Sequence, residues 1–279
     1  MSSAKSGAGS LYLVSTPIGN LGDMSYRAVE VLSSAALVIA EDTRHSRRLL
    51  DHYRITTPLA SYHEHNEAKE TPRLVARLRA GDSIALISDA GTPLISDPGS
   101  RLVTAALEAD VAVVPIPGPS SVMAALVGSG ISLERFTFYG FLPRKGKQRT
   151  ELIDEIVSAR STVVLFEAPN RVGGTLEALV RAGAGERPAV VARELTKQFE
   201  EFKRGSVGEL ATFYSSSDPR GEIVLVIAGA EEPQISEAEL KDAAKKLRAS
   251  GKRPREVMDH LVGALGAPRN LAYKIAHEA

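Results

Sequence analysis

Residues 87–99, Ile-Ser-Asp-Ala-Gly-Thr-Pro-Leu-Ile-Ser-Asp-Pro-Gly, gather two Asp, two Ser, one Thr, two Pro and two Gly into one junction. The run follows an apolar strand pattern at 83–86 and precedes helical spacing at 101–109. A plain strand-to-helix turn takes about two to six residues, so this one is longer and more polar than a connection needs. Loops at the carboxyl ends of strands are where open α/β sheets bind ligands, and that is the chemistry this loop offers. The same residue types also build ordinary caps and turns. A second polar loop, Ser15-Thr16-Pro17-Ile18-Gly19-Asn20-Leu21-Gly22-Asp23, follows an apolar run at 11–14. It lacks the spacing G-x-G-x-x-G, and the chain lacks G-x-x-x-x-G-K-[ST], which argues against dinucleotide and NTP chemistry. A third, Gly118-Pro119-Ser120-Ser121, opens a helix after the strand at 111–116. Free N–H groups there could hold a carboxylate or hydroxyl, or Ser120 could simply cap the helix.

The elements that position these loops alternate. Strand patterns at 11–14, 36–40, 83–87 and 111–116 are interleaved with helical spacing at 27–35, around Leu74, Val75 and Leu78, and at 102–107. That rhythm predicts a mostly parallel sheet covered on both faces. Pro115-Ile116-Pro117-Gly118-Pro119 is too proline-rich for a central strand, and a domain boundary is expected there. Further strands are expected at 136–141, 162–166, 189–192, 199–204 and 222–227, the last three including antiparallel pairs. Helices fit 149–157, 172–181 and 207–214. From Ser236 the pattern is helical only, at 237–249, 254–265 and 268–277, the last two opening on Pro. Gly266-Ala267 joins them into a helix–turn–helix unit. The expected fold is α/β, with a leader at 1–10, α/β domains at 11–117 and 118–232, and a small helical module at 233–279.

At 279 residues and 43% hydrophobic content the chain can bury cores for two domains. With no cysteine, disulfides and thiolate metal sites are excluded, which fits a reducing, cytoplasmic compartment. No run of 18 apolar residues is present, so no membrane partner is expected. Lys plus Arg and Asp plus Glu are each 34, so a nucleic-acid partner would need local basic patches.

Nine stretches, in order, carry a resemblance: STPIGNLGD (15–23), AEDTR (40–44), YHEHNE (62–67), ISDAGTPLISDPG (87–99), PGPSS (117–121), GFLPRKG (140–146), FEAPNR (166–171), RELTKQFEE (193–201) and GEIVLVIAG (221–229). Through them the chain, from about residue 11 to 230, resembles the ribosomal RNA small subunit methyltransferase I family. Those enzymes have the tetrapyrrole-methylase-like, class III fold of S-adenosylmethionine-dependent methyltransferases. The resemblance implies two α/β domains with a cofactor cleft between them, S-adenosylmethionine as cofactor, and a homodimer. It implies methylation of the ribose 2′-oxygen of a cytidine in the decoding region of 16S ribosomal RNA, within the small ribosomal subunit. Carried over by position, Pro17, Ile18 and Gly19 should border the cofactor. Asp89, Thr92, Pro93, Ile95, Ser96 and Asp97 should form its wall, with Ser120 and Ser121 beneath. Phe166, Ala168, Leu195, Gly221 and Glu222 should come from the second domain. Adenine needs apolar walls, and the hydroxyls and amino acid end need Asp, Ser or backbone partners.

Methyl transfer is an in-line displacement in which the protein mainly aligns oxygen, carbon and sulfur. A ribose hydroxyl is a poor nucleophile that a base or a nearby cation would help. Glu41, Asp42, Arg44, His63, His65, Glu167, Arg193, Glu194 and Lys197 are candidates, and Glu41, Arg44, Glu194 and Lys197 are expected to shape and charge the substrate side. His63 and His65 flank Glu64 without a third ligand, so no metal is expected. Basic groups suited to RNA phosphates are Arg44 with Arg47 and Arg48; Arg144, Lys145, Lys147 and Arg149; and Lys245, Lys246, Arg248, Lys252, Arg253 and Arg255. Two alternatives stand: a tetrapyrrole or other small-molecule methylase of the same fold, which usually carries a glycine-richer first loop, and a non-catalytic RNA-binding protein.

Overall fold

The computed structural model describes residues 8–217, 219–231 and 236–278. Residues 1–7 of the expected leader and residues 232–235, where the helical module was expected to begin, lie outside the described residues. Residues up to Ala230 form one compact unit and those from Glu231 a second.

The first sheet comes from β1 (Ser10–Val14), α1 (Tyr26–Ser34), β2 (Leu37–Ala40), α2 (Thr43–His52), β3 (Leu59–Ser61), α3 (Glu67–Arg79), β4 (Ile84–Ile87), α4 (Ser100–Glu108) and β5 (Ala112–Ile116). Its order is β3-β2-β4-β1-β5, and every pairing is parallel. β2 reads Leu-Val-Ile-Ala and β4 Ile-Ala-Leu-Ile, buried throughout, as strands covered on both faces require. Alternate side chains sort to the two faces. Leu11, Ile39, Ile84 and Leu86 meet Leu74, Leu78 and Leu102 of α3 and α4. Val14, Val38, Ala85 and Ile87 meet Ala28, Leu32 and Leu50 of α1 and α2. Pro115 lies within β5, which is tolerated because β5 is the outermost strand.

The second sheet comes from α5 (Ser121–Ser129), β6 (Phe136–Phe141), α6 (Lys147–Ser158), β7 (Thr162–Glu167), α7 (Val172–Leu179), β8 (Pro188–Arg193), β9 (Glu201–Ser206), α8 (Val207–Ser215) and β10 (Ile223–Ile227). Its order is β6-β7-β10-β8-β9. Only β6 and β7 run parallel; β10 is antiparallel to β7 and β8, and β8 to β9. One face packs on α6, α7 and α8 through Val163, Leu165, Val191 and Leu225. The other face, with Val164, Val190, Val224 and Val226, packs on Val122, Ala125 and Leu126 of α5 and on Ile18 from the loop after β1. That apolar layer ties the first sheet's loops to the second sheet.

Several elements differ from expectation. Residues 43–52, assigned no element from the sequence, form α2, whose N-cap Asp42 accepts hydrogen bonds from the N–H groups of Arg44 and His45. β3 has three residues, at an edge, too short to leave an apolar signature. The expected strand at 199–204 runs two residues later, as β9, and the strand expected from Glu222 begins at Ile223.

The second unit holds α9 (Glu237–Ala249), α10 (Pro254–Gly263) and α11 (Arg269–Glu278). Ser236 and Glu239 form a capping box, and Pro254 opens α10 as expected, whereas α11 starts one residue after Pro268. Leu240, Ala244, Val257, Leu261, Ala272 and Ile275 make a core of its own. Among the described residues no helix is long and apolar enough to cross a membrane.

Candidate active site

β1 and β4 are neighbours in the first sheet, yet α1 and α4 cover opposite faces. The loops leaving these strands therefore part, opening a crevice at their carboxyl ends. Thr16 and Gly91 pin it: each N–H donates to the other's carbonyl, at 2.9 and 3.0 Å. The buried Thr16 hydroxyl also donates to the Ser88 carbonyl, at 3.2 Å. Ser15 Oγ donates to Thr92 Oγ1, and Thr92 Oγ1 to the Pro119 carbonyl, so three polar loops share one network.

Between these loops and the second sheet lies a cavity of about 390 Å³. Twelve residues expected at the cofactor line it: Ile18, Asp89, Thr92, Ile95, Ser96, Asp97, Ser120, Ser121, Phe166, Ala168, Gly221 and Glu222. Pro17, Gly19, Pro93 and Leu195 are not part of the lining. Leu195 is buried beneath, beside Ile18. Gly19 lies under the aliphatic chain of Lys197, where a Cβ would stand 2.4 Å from Lys197 Cγ. Glu167, a candidate from sequence, also lines the cavity, as do Ala90, Gly91, Val122, Phe141, Pro169, Ile223 and Val224, which were not singled out. Most are apolar, and nothing in a sequence separates a cavity wall from a core.

Charge within the cavity is acidic. Burial pushes the Asp97 carboxyl up to about 6, helped by the negative charges of Glu41 and Asp89 and opposed by a Ser88 hydrogen bond. Asp89 Oδ1 accepts from the Asp42 N–H at 3.2 Å, tying the end of β2 to the same loop. Glu41 is exposed at that end and reaches the site by its charge. Arg44, 91% exposed, pairs with Asp42, and the Arg44 side-chain hydrogen bond is the main reason Asp42 is held at about 2.

On the second-sheet side Lys197 Nζ lies 2.8 Å from Glu194 Oε1 and 3.2 Å from Glu222 Oε2. Burial would lower the Lys197 ammonium, but the Glu194 hydrogen bond and the Glu222 charge together raise it; Lys197's hydrogen bond keeps Glu194 low. Glu194 and Thr196 sit at positive φ, 51° and 65°. Gly221, at φ 89°, leaves the room Glu194 fills, because a Cβ there would stand 2.3 Å from Glu194 Cδ. Glu194 and Lys197 thus brace Gly221 and Glu222 of the cavity lining. Arg193 pairs with Glu201 instead, at 3.1 Å. Glu167 has its side chain wholly buried, paired with Arg171 and hydrogen-bonded by Thr175. His63 and His65 stack edge-on at 6.0 Å. Among the described residues no cluster of His, Cys, Asp or Glu could hold a metal ion.

Of the basic groups, Arg47 and Arg48 are exposed on α2, and Arg144 and Lys145 are exposed on the loop after β6. Lys147 pairs with Glu151 at 3.2 Å. Arg149 faces inward, donating to the Pro143 carbonyl and Thr175 Oγ1, so it buttresses that loop. Lys252 and Arg253 are exposed in the second unit.

The profile of the tetrapyrrole (corrin/porphyrin) methylases matches residues 10–211. The uroporphyrin-III C-methyltransferase of Thermus thermophilus, solved with S-adenosylhomocysteine, superposes with a TM-score of 0.58 at 18% identity, covering 79% of this chain and 97% of that one. Fold and cleft define a two-sheet α/β methylase of the tetrapyrrole class. Ribosomal RNA small subunit methyltransferase I of Synechocystis is 46% identical over 273 residues, 97% of this chain and 98% of the relative. That of Mesorhizobium japonicum is 48% identical over 245 residues, 86% and 83% of the two chains. The chain belongs to the ribosomal RNA small subunit methyltransferase I family.

Proposed function

We propose that this protein methylates 16S ribosomal RNA, at the ribose 2′-oxygen of a cytidine in the decoding region. The methyl donor is S-adenosylmethionine, whose sulfonium supplies an activated methyl group with a neutral leaving group. The observation that carries the reading is the cavity itself. It joins apolar walls, Ile18, Ile95 and Phe166, to carboxylates that include Asp89 and Asp97 and to hydroxyls that include Ser120 and Ser121. That donor set suits a molecule with an aromatic ring, hydroxyls and cationic groups, and the volume lies in the range of small-molecule sites.

The chain's own residues would then do four things. Ile18 and Phe166 bind the ring. Asp97 and Asp89 hold cationic or hydroxyl groups. Glu194 and Lys197 brace the lining at Gly221 and Glu222, so that the acceptor oxygen meets the methyl group in line. Glu41 and Arg44 charge the approach. Exposed Arg47, Arg48, Arg144, Lys145, Lys252 and Arg253 give contacts to RNA phosphates. A cytoplasmic location and a homodimer belong to the same reading.

The test is transfer of labelled methyl from S-adenosylmethionine to purified small ribosomal subunits, with naked ribosomal RNA and a tetrapyrrole precursor in parallel. Label mapped to a cytidine ribose is the expected result. Label on an RNA base, or only on the tetrapyrrole, overturns it.

A further inference from the structure

Phe141 is the least expected residue in the cavity wall. It is 55% exposed, and Ile95, also in the lining, is 45% exposed. Its position results from a defect in the sheet. β6 pairs in register with β7 up to Phe138 and Val164, then resumes at Phe141 and Phe166. Three steps on β6 thus oppose two on β7, with Gly140 at φ 62° taking the bend. Without the bulge Phe138 and Phe141 would point to opposite faces. With it both rings reach Phe166, at 4.8 and 5.4 Å between centroids. The result is a ladder of three rings climbing from the apolar layer to the surface. Its top rung meets Phe166 at a tilt of 55° and is half in solvent.

The segment that follows is basic and rigidly held. Leu142 is buried. The Leu142 carbonyl accepts from Arg171 at 2.7 Å and the Pro143 carbonyl from Arg149 at 3.1 Å. Arg171 is itself anchored on buried Glu167. Two guanidiniums thus brace the loop from inside, and Arg144 and Lys145, three and four residues after Phe141, are exposed. A flat apolar ring beside two cations complements a nucleotide, whose base has a π-face and whose phosphate is anionic. Unpaired bases in RNA expose their faces, and an aromatic side chain is a surface on which such a base stacks.

We infer that Phe141 is the stacking platform for the base of the target nucleotide, with Arg144 and Lys145 on its flanking phosphates. This rests on RNA being the substrate. It assigns Phe141 to substrate, not to the cofactor ring.

The experiment compares wild type, F141A, F141L and F141W in methyl transfer to small ribosomal subunits, with S-adenosylhomocysteine binding followed by calorimetry. F141A should raise KM for the subunit about tenfold or more while the cofactor Kd stays within about twofold. F141W should restore KM, and F141L should not. An unchanged KM in F141A overturns the assignment, as does F141L matching F141W. A loss of S-adenosylhomocysteine affinity equal to the rise in KM makes Phe141 a cofactor wall and also overturns it. If wild type labels no RNA, the RNA reading itself fails and this inference falls with it. That outcome is visible before any variant is compared.

Discussion

Asp97 shows how one side chain can make this site respond to pH. Its carboxyl titrates at about 6 rather than at its ordinary 3.8, mainly because burial disfavours the charge. Between those values the folded protein keeps a proton that the unfolded chain has lost. Asp97 therefore costs no stability below pH 3.8, and its penalty grows as pH rises through 6. Ligand binding runs the other way, because only the carboxylate attracts a sulfonium or ammonium. Affinity for S-adenosylmethionine should fall about tenfold between about pH 8 and about pH 5, the fraction ionised dropping tenfold per unit below the pKa. Titration calorimetry across that range checks this. D97N should bind more weakly at the upper end, show a flat profile, and melt higher than wild type at neutral pH. A wild-type affinity that does not change with pH would remove Asp97 from the cation's contacts.

At the level of elements, the site depends on two loops being clasped where their strands diverge. Thr16 is buried and its hydroxyl donates to Ser88, so T16V keeps the shape and removes the bond. The substitution should cost about 1 to 3 kcal/mol, because a buried carbonyl loses its donor. Thermal unfolding should register that loss, and cofactor affinity should drop with it. The sequence made these elements legible unevenly. Strands that read as unbroken apolar runs, such as 84–87 and 223–227, were evident because both their faces are buried. α2 was not, because it buries only Ser46, Leu49 and Leu50 among Arg, His and Asp. In the site, polar residues such as Asp89, Asp97 and Ser120 were findable, because polar side chains in a strand-end loop ask for a ligand. Leu195, expected at the cofactor, lies in the core instead, and Phe141 was not singled out. One apolar residue turned into the core and the other out of it, and the bulge that decides the second has no local signature beyond a glycine. Arg149 likewise sat within a basic run, yet its partners Pro143 and Thr175 come from different elements.

On the scale of the whole molecule, charge is balanced overall but unevenly placed. Lys245, Lys246, Arg248, Lys252, Arg253 and Arg255 are all exposed in the second unit, which has its own core. Deleting residues 233–279 should leave S-adenosylmethionine binding intact. It should weaken RNA affinity and flatten its dependence on salt, because fewer counterions are released. Filter binding over a salt series measures both, and an unchanged slope would assign RNA contact to the α/β unit alone. The proline in β5 bears on a different property, the behaviour of the chain before its sheets are covered. Ala112-Val113-Val114-Pro115-Ile116 is an apolar outermost strand, and in a half-assembled chain such a strand is a template for another molecule. A residue with no N–H cannot donate to that foreign strand. P115V would supply the donor and complete a run of β-branched residues. It should refold with more light scattering at high concentration while leaving methyl transfer by the correctly folded fraction untouched, making Pro115 a gatekeeper against aggregation.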